Sequence, residues 1–314
     1  MAQGTVAKKG RMSKLEKRNT LIAYSFLAPN FIGFLVFTMI PVVFSVALSF
    51  MDWGGGQNIT FVGLENFRYI FHDFSFTKSN LGIALKNTVY YTIVTVPLTL
   101  GCALGLALLL NKGIRGAKVF RAVLFFPYVA SLVAICVCWN FLLMKNGPFS
   151  QLLSHVGLGF SKSWTSSREL AIWAIIVVSV WRNAGYYMVM YLAGLQGVPT
   201  ELYEAATMDG ANGWQQFRKI TMPMLTPTTF FCSIMMVIYC FKIYDVVAIM
   251  TQGGPGRSTK MLVTYIFELS FGGEGIATSA QYGVASAVSM VLLVIVLLVT
   301  FVQFRGEKKW VNYM

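Results

Sequence analysis

Few residues in this chain have the types and spacing to do chemistry, and those few suit binding rather than bond breaking. Arg182, Asn183 and Tyr186 follow i, i+1, i+4 spacing, which places them on one face of a helix. Met236, Tyr239, Cys240 and Ile243 recur at i, i+3, i+4, i+7 and share another face. Arg182 with Asn183 can hold hydroxyl groups, and Tyr186 or Tyr239 can stack on the apolar face of a sugar ring. That chemistry suits a neutral carbohydrate. Two plainer roles stay open: Arg182 can snorkel or pair with a partner subunit, and stripes of Tyr and Met commonly do no more than pack helices. Lys242 and Asp245 stand three residues apart. They can neutralise each other as structural glue, or titrate in a proton- or sodium-coupled carrier.

Catalysis has no comparable set. His72 and His155 are far apart and lack cysteines at ligand spacing, and no His-Glu-x-x-His occurs. No Gly-Lys dipeptide occurs either, so the phosphate loop Gly-x-x-x-x-Gly-Lys-Ser/Thr is absent. Energy for any transport must come from outside the chain.

The elements that position these residues are read from composition. Of 314 residues, 56% are hydrophobic and 12% charged, with a mean hydropathy of +0.64. Too little polar surface remains to cover a soluble globule, so lipid must solvate much of the chain. A helix needs about 20 apolar residues to cross the hydrocarbon with its backbone paired. Six runs qualify, at about 21–50, 88–110, 122–144, 170–196, 224–250 and 276–304, within a membrane region 21–304. The first is too long for a cleaved leader and reads as an uncleaved anchor, with Pro29 and Pro41 marking part of it as a kinked or interfacial lead-in to the spanning helix. The five cysteines lie inside apolar runs and behave as small hydrophobes. The net charge of +13 comes in short blocks between those runs, not in one stripe, which argues against nucleic acid.

Those blocks set an orientation. A basic tail (1–20), the loop with Lys112, Arg115, Lys118 and Arg121, the pair Arg218 and Lys219, and a second tail (305–314) carry most of the Lys and Arg. By the positive-inside rule that side, with both termini, faces the cytoplasm. The outward loops hold less charge and more Gly and aromatic residues, including the turn Gly253-Gly254-Pro255.

One cytoplasmic loop, 199–223, differs in kind. Thr200 can cap a helix carrying Glu201 and Glu204 in its early turns, where the dipole favours acids. Ala205 and Ala206 keep one face small, Gly210 stops the helix, Asn212 can cap a second, and Pro223 ends the segment. Glu204-Ala205-Ala206, three residues, Gly210, nine residues, then Ile220-Thr221-Met222-Pro223 resembles the EAA loop of permease subunits in binding-protein-dependent ABC importers. Val198-Pro199-x-Glu201-Leu202-Tyr203, Met208-Asp209-Gly210-Ala211 and Thr251-x-Gly253-Gly254-Pro255 resemble the sugar-permease branch, and the last resembles its maltose-permease F-type subunit. Met222 replaces the usual Leu, a volume-conserving swap.

The resemblance implies an all-α integral membrane protein with the type I importer fold: six transmembrane helices and a cytoplasmic helix-turn-helix coupling loop. It implies a multi-pass protein of a bacterial-type cytoplasmic membrane that shares a carbohydrate pathway with a second permease subunit and receives solute from an extracytoplasmic binding protein. Two ATP-binding subunits would use ATP and magnesium, this chain holding no cofactor or metal. Glu204, Ala205, Ala206, Asp209, Gly210, Ile220 and Pro223 would meet the ATPase. The faces bearing Arg182 and Tyr239 would line the pathway, although Met236, Cys240 and Ile243 stand where relatives carry polar residues.

Overall fold

The computed structural model describes residues 14–155, 163–272 and 280–311. Most of the basic tail (Lys8, Lys9 and Arg11 among it), Lys162, the start of the sixth span and residues 312–314 lie outside the described residues. Among the described residues the regular elements are helical, apart from a short hairpin, β1 (Met51–Asp52) with β2 (Thr60–Phe61), in antiparallel register Met51 to Phe61.

The first apolar run forms α1 (Lys14–Phe34) and α2 (Ile40–Leu48), joined by a π turn at Leu35–Met39. Pro41 explains the widened turn. A proline donates no N–H and clashes with the carbonyl four residues back, here that of Phe37, so the ladder opens to i→i−5 bonding and the Ile40 N–H reaches the Leu35 carbonyl. The rod stays continuous, and only 6% of its apolar window is buried in this chain, against 56% for the fourth run.

After α3 (Glu65–Phe71), α4 (Asn80–Asn111) begins eight residues before the expected span. Ser79 caps it, its hydroxyl accepting from the Gly82 N–H at 3.0 Å, and the exposed Lys86 rides inside the helix instead of bounding it.

The third run is not one rod. It forms α5 (Ala117–Val129) and α6 (Leu132–Leu142), bent by 97°. Pro127 near the end of α5 and extended backbone at Ala130 break the ladder. After a short α7 (Pro148–His155), α8 (Ala171–Gln196) matches its expected span within a residue. Gly185 lets α5 cross α8 closely, since a Cβ there would stand 1.9 Å from the Leu124 carbonyl oxygen.

The loop region forms α9 (Thr200–Met208), α10 (Gly213–Gln216), a π turn at Phe217–Thr221 and α11 (Met222–Met224). Pro223 therefore does not end the segment as expected. It sits in the first turn of α11, behind a second π turn, and a 63° bend separates Gly213–Met224 from α12 (Thr226–Phe241). The fifth run then breaks at residues 242–244 before α13 (Asp245–Met250). A ten-residue helix absent from the expected set, α14 (Leu262–Phe271), precedes α15 (Tyr282–Trp310).

Among the described residues four helices are thus long and apolar enough to cross a bilayer, and up to six crossings result when each bent pair counts as one. The larger core joins α4, α6, α8, α12 and α13 around Tyr91, Met188, Tyr191 and Met236; a smaller one packs α3 and the start of α4 against α14 and α15.

Candidate functional site

The bundle has two ends that matter. At one, Asn87 near the start of α4 donates to the carbonyls of Arg257 and Lys260 at 3.1 and 3.0 Å, which pins the turn after α13. At the other, Leu108, Asn111 and Lys112 at the end of α4 meet Leu195, Tyr203, Trp214 and Phe217 around a groove of about 710 Å³.

Between the ends, α8 carries Arg182, Asn183 and Tyr186. The Arg182 Nη2 donates to the Tyr128 carbonyl at 3.3 Å, and its guanidinium lies 5.4 Å from the centre of the Tyr128 ring. Tyr128 in turn stacks on Tyr186, with centroids 4.5 Å apart and planes 21° from parallel. Arg182 Nε is buried without a hydrogen-bond partner among the described residues, so the cluster retains a free donor. An arginine beside stacked aromatic faces can bind hydroxyl-bearing rings. Tyr239 comes alongside Arg182 and Asn183, which joins the two expected faces at one residue.

The other candidates are placed differently. Asn183 is buried, donates to the Ser179 carbonyl of its own helix at 2.8 Å and lies beside Tyr239. Met236, Cys240 and Ile243 are buried in the larger core, and Ile243 lies in the break beyond α12. Lys242 and Asp245 do not share a helix face: Lys242 ends α12, Asp245 opens α13, both are exposed, and no ion pair joins them among the described residues. The expected mutual neutralisation is thereby corrected; the broken backbone removes the i, i+3 geometry that it required.

Tyr128 was not among the candidates. It lies in a run screened only for the absence of charge, and its signal was an aromatic directly after Pro127 inside an expected span. A second unsought feature is a buried seam of hydroxyls at i, i+4, i+8 on α4, formed by Tyr91, Thr95 and Thr99, with Tyr91 beside Ser179 of α8.

At the other end, α9 buries no residue. Pro199, not Thr200, holds its cap position, and Thr200 is the first helical residue without a capping bond. Gly210 (φ +80°) turns the chain, helped by the Ala211 N–H bonding the Ala206 carbonyl at 2.8 Å. Asn212 and Gln215 then form a reciprocal capping box at 2.9 and 2.8 Å. Two further bonds brace the unit: Gln216 donates to the Thr207 hydroxyl at 2.9 Å, and the Tyr203 and Thr221 hydroxyls meet at 2.9 Å. Glu204, Ala205 and Asp209 are exposed, Ala206, Ile220 and Pro223 half-buried, and Leu202, Met208 and Trp214 project apolar surface. The result is a rigid, outstanding knob with an acid, small residues and apolar anchors on its surface. Gly253, Gly254 and Pro255 form the turn pinned by Asn87 at the opposite end.

Residues 98–310 match the family described as binding-protein-dependent transport system inner membrane component. The probable ABC transporter permease protein YesP of Bacillus subtilis is 35% identical over 96% of this chain and 96% of its own length. The lactose transport system permease protein LacF of Rhizobium radiobacter is 33% identical over 95% of this chain and 97% of its own. Among solved structures, a bacterial alginate ABC transporter in complex with an alginate pentasaccharide-bound periplasmic protein superposes with a TM-score of 0.78 over 96% of this chain and 98% of its own, at 22% identity. That likeness carries the fold. A profile match over two thirds of the chain, with near full-length relatives above 30% identity and the same helical architecture, leaves one conclusion: this chain belongs to the inner membrane components of binding-protein-dependent ABC transport systems.

Proposed function

We propose that this permease forms half of a carbohydrate pathway in an ATP-driven importer, and that α9 is the handle by which partner ATPases move it. The observation that carries the proposal is the braced knob Thr200–Gln216, in which α9 buries no residue yet is tied down by a capping box and two side-chain hydrogen bonds. Such a unit transmits force instead of absorbing it. Glu204 supplies an acceptor for a charge-assisted bond, Ala205 and Ala206 permit close approach, and Met208 offers an adaptable apolar anchor. Both termini and the knob face the cytoplasm, and the turn Gly253-Gly254-Pro255 faces the binding protein. A second permease completes the pathway, and two ATP-binding subunits supply ATP and magnesium chemistry.

Support for a carbohydrate comes from the Arg182–Tyr128–Tyr186 cluster and from the relative named for lactose transport. A proton-driven carrier gains nothing from Lys242 and Asp245, which stand apart and exposed. The test is a reconstituted complex of this chain with its ATPase and second permease, given sugar-loaded binding protein. Glu204→Ala is expected to leave the complex assembled while abolishing sugar uptake and its stimulation of ATP hydrolysis. Full uptake by that variant, or uptake without any ATPase, overturns the reading.

A further inference from the structure

At the pinned turn lies a second pocket, of about 510 Å³, enclosed by the break after α12, the turn and α14. Its elements differ from those that hold the Arg182 cluster. The rings of Tyr244 and Phe267 form one wall, with centroids 4.9 Å apart. Lys260 and Glu268 form another, paired at 2.7 Å with side chains only 5% and 15% exposed. Gln252, Thr264 and Arg257 complete the polar lining, with Arg257 Nη1 donating outside it to the Lys78 carbonyl and to Asn80 Oδ1.

Three observations point to an occupant. Thr264 is buried, and its hydroxyl has no partner among the described residues. A buried hydroxyl without a partner loses its hydration for no return unless something else bonds it. Gly253 leaves the wall open, since a Cβ there would rest 3.5 Å from Glu268 Oε1 and 3.5 Å from Thr264 Cγ2 and would cover both. The ion pair is also incompletely used: Lys260 Nζ keeps two further N–H donors and Glu268 a second oxygen. The walls are fixed beforehand by the Asn87 bonds, by the Thr259 hydroxyl on the Gly254 carbonyl at 2.7 Å, and by the Leu262 N–H on the Thr88 hydroxyl at 3.0 Å. Preset walls cut the ordering cost of binding.

Donors and acceptors set side by side opposite an aromatic face, with the Lys and Glu charges cancelling, is the recognition chemistry of a neutral sugar. We propose that this pocket is a vestibule subsite for one or two neutral sugar rings, filled between release from the binding protein and arrival at the Arg182 cluster. It rests on the carbohydrate reading above.

The test uses proteoliposomes of the whole complex at saturating binding protein, with lactose and maltotriose as probes, and reads sugar delivered per ATP hydrolysed. Thr264→Val keeps the shape and removes a hydroxyl that bonds nothing in the protein, so thermal stability is expected to hold. Sugar per ATP is expected to fall about 3- to 10-fold, the worth of one neutral hydrogen bond, while ATP hydrolysis stays constant. Phe267→Leu is expected to lower the same ratio. A structural role alone would move stability or both rates together. Unchanged delivery per ATP in both variants overturns the subsite and leaves the carbohydrate reading standing. A wild-type complex that imports neither sugar overturns the two together.

Discussion

Gly185→Ala tests how the pathway cluster is held. The added Cβ would stand 1.9 Å from the Leu124 carbonyl oxygen, 2.7 Å from its carbon and 3.0 Å from the Phe125 Cα. All three are backbone atoms, so no side chain can swing aside. Bringing the closest contact out to 3.0 Å, the least that real Cβ atoms show, requires α5 to move off α8 by about 1.1 Å (3.0 minus 1.9). Overpacking of this kind costs about 1–3 kcal/mol and sometimes more. The displacement also carries Tyr128 at the end of α5, so the 4.5 Å stack on Tyr186 opens and the 3.3 Å bond from Arg182 lengthens beyond hydrogen-bonding range. The assay is paired: thermal unfolding of the detergent-solubilised complex, and sugar uptake in proteoliposomes. The unfolding midpoint is expected to drop by several degrees, and uptake to fall further than the lost folded fraction explains. Wild-type values for both would refute the close crossing and the dependence of the cluster on it.

Asn212→Ala removes the capping box, a loss of about 1 kcal/mol, and the amides of Gly213–Gln216 should exchange hydrogen about fivefold faster, with no change elsewhere in the bundle. Lys260→Ala strands the Glu268 carboxylate in a nearly dry site, and a destabilisation of about 3–5 kcal/mol should appear in thermal unfolding; the double change Lys260→Met, Glu268→Leu should recover most of it. Lys242→Ala and Asp245→Ala alter exposed, unpaired groups, so ATP-driven uptake should persist without change in its dependence on external pH, whereas a proton-coupled route would lose transport with either.

Apolar run length gave six runs, which the structure matches when each bent pair is one crossing, and it located α8 within a residue. Capping chemistry located the second helix of the knob at Asn212, because those signals are local. The bend between α5 and α6 was not legible, since the absence of charge says nothing of direction, and the turn falls where Pro127 is followed by extended backbone at Ala130. The helix α14 was hidden because Lys260 and Glu268 interrupt its apolar run; only their mutual neutralisation in space makes the segment fit to be buried. Spacing put Asn183 on the same face as Arg182, but spacing cannot show an amide folding back onto Ser179. The site was likewise half visible: Arg182, Tyr186 and Tyr239 come together, while Tyr128, which organises them, lies 54 residues upstream of Arg182.

The two π turns each amount to one surplus residue wound into a helix. Whatever follows such a turn is swung by about 100° relative to an unbroken rod, the angle one residue subtends. Ahead of Pro41 this re-phasing acts on a helix with almost nothing packed around it in this chain, so a one-residue length change there should be absorbed. Ahead of Pro223 it sets the compass bearing of the knob against the bundle. Closing the turn Phe217–Thr221 to α geometry at unchanged chain length would point the same intact docking surface in another direction, and an engine still bound to it would pull along the wrong line.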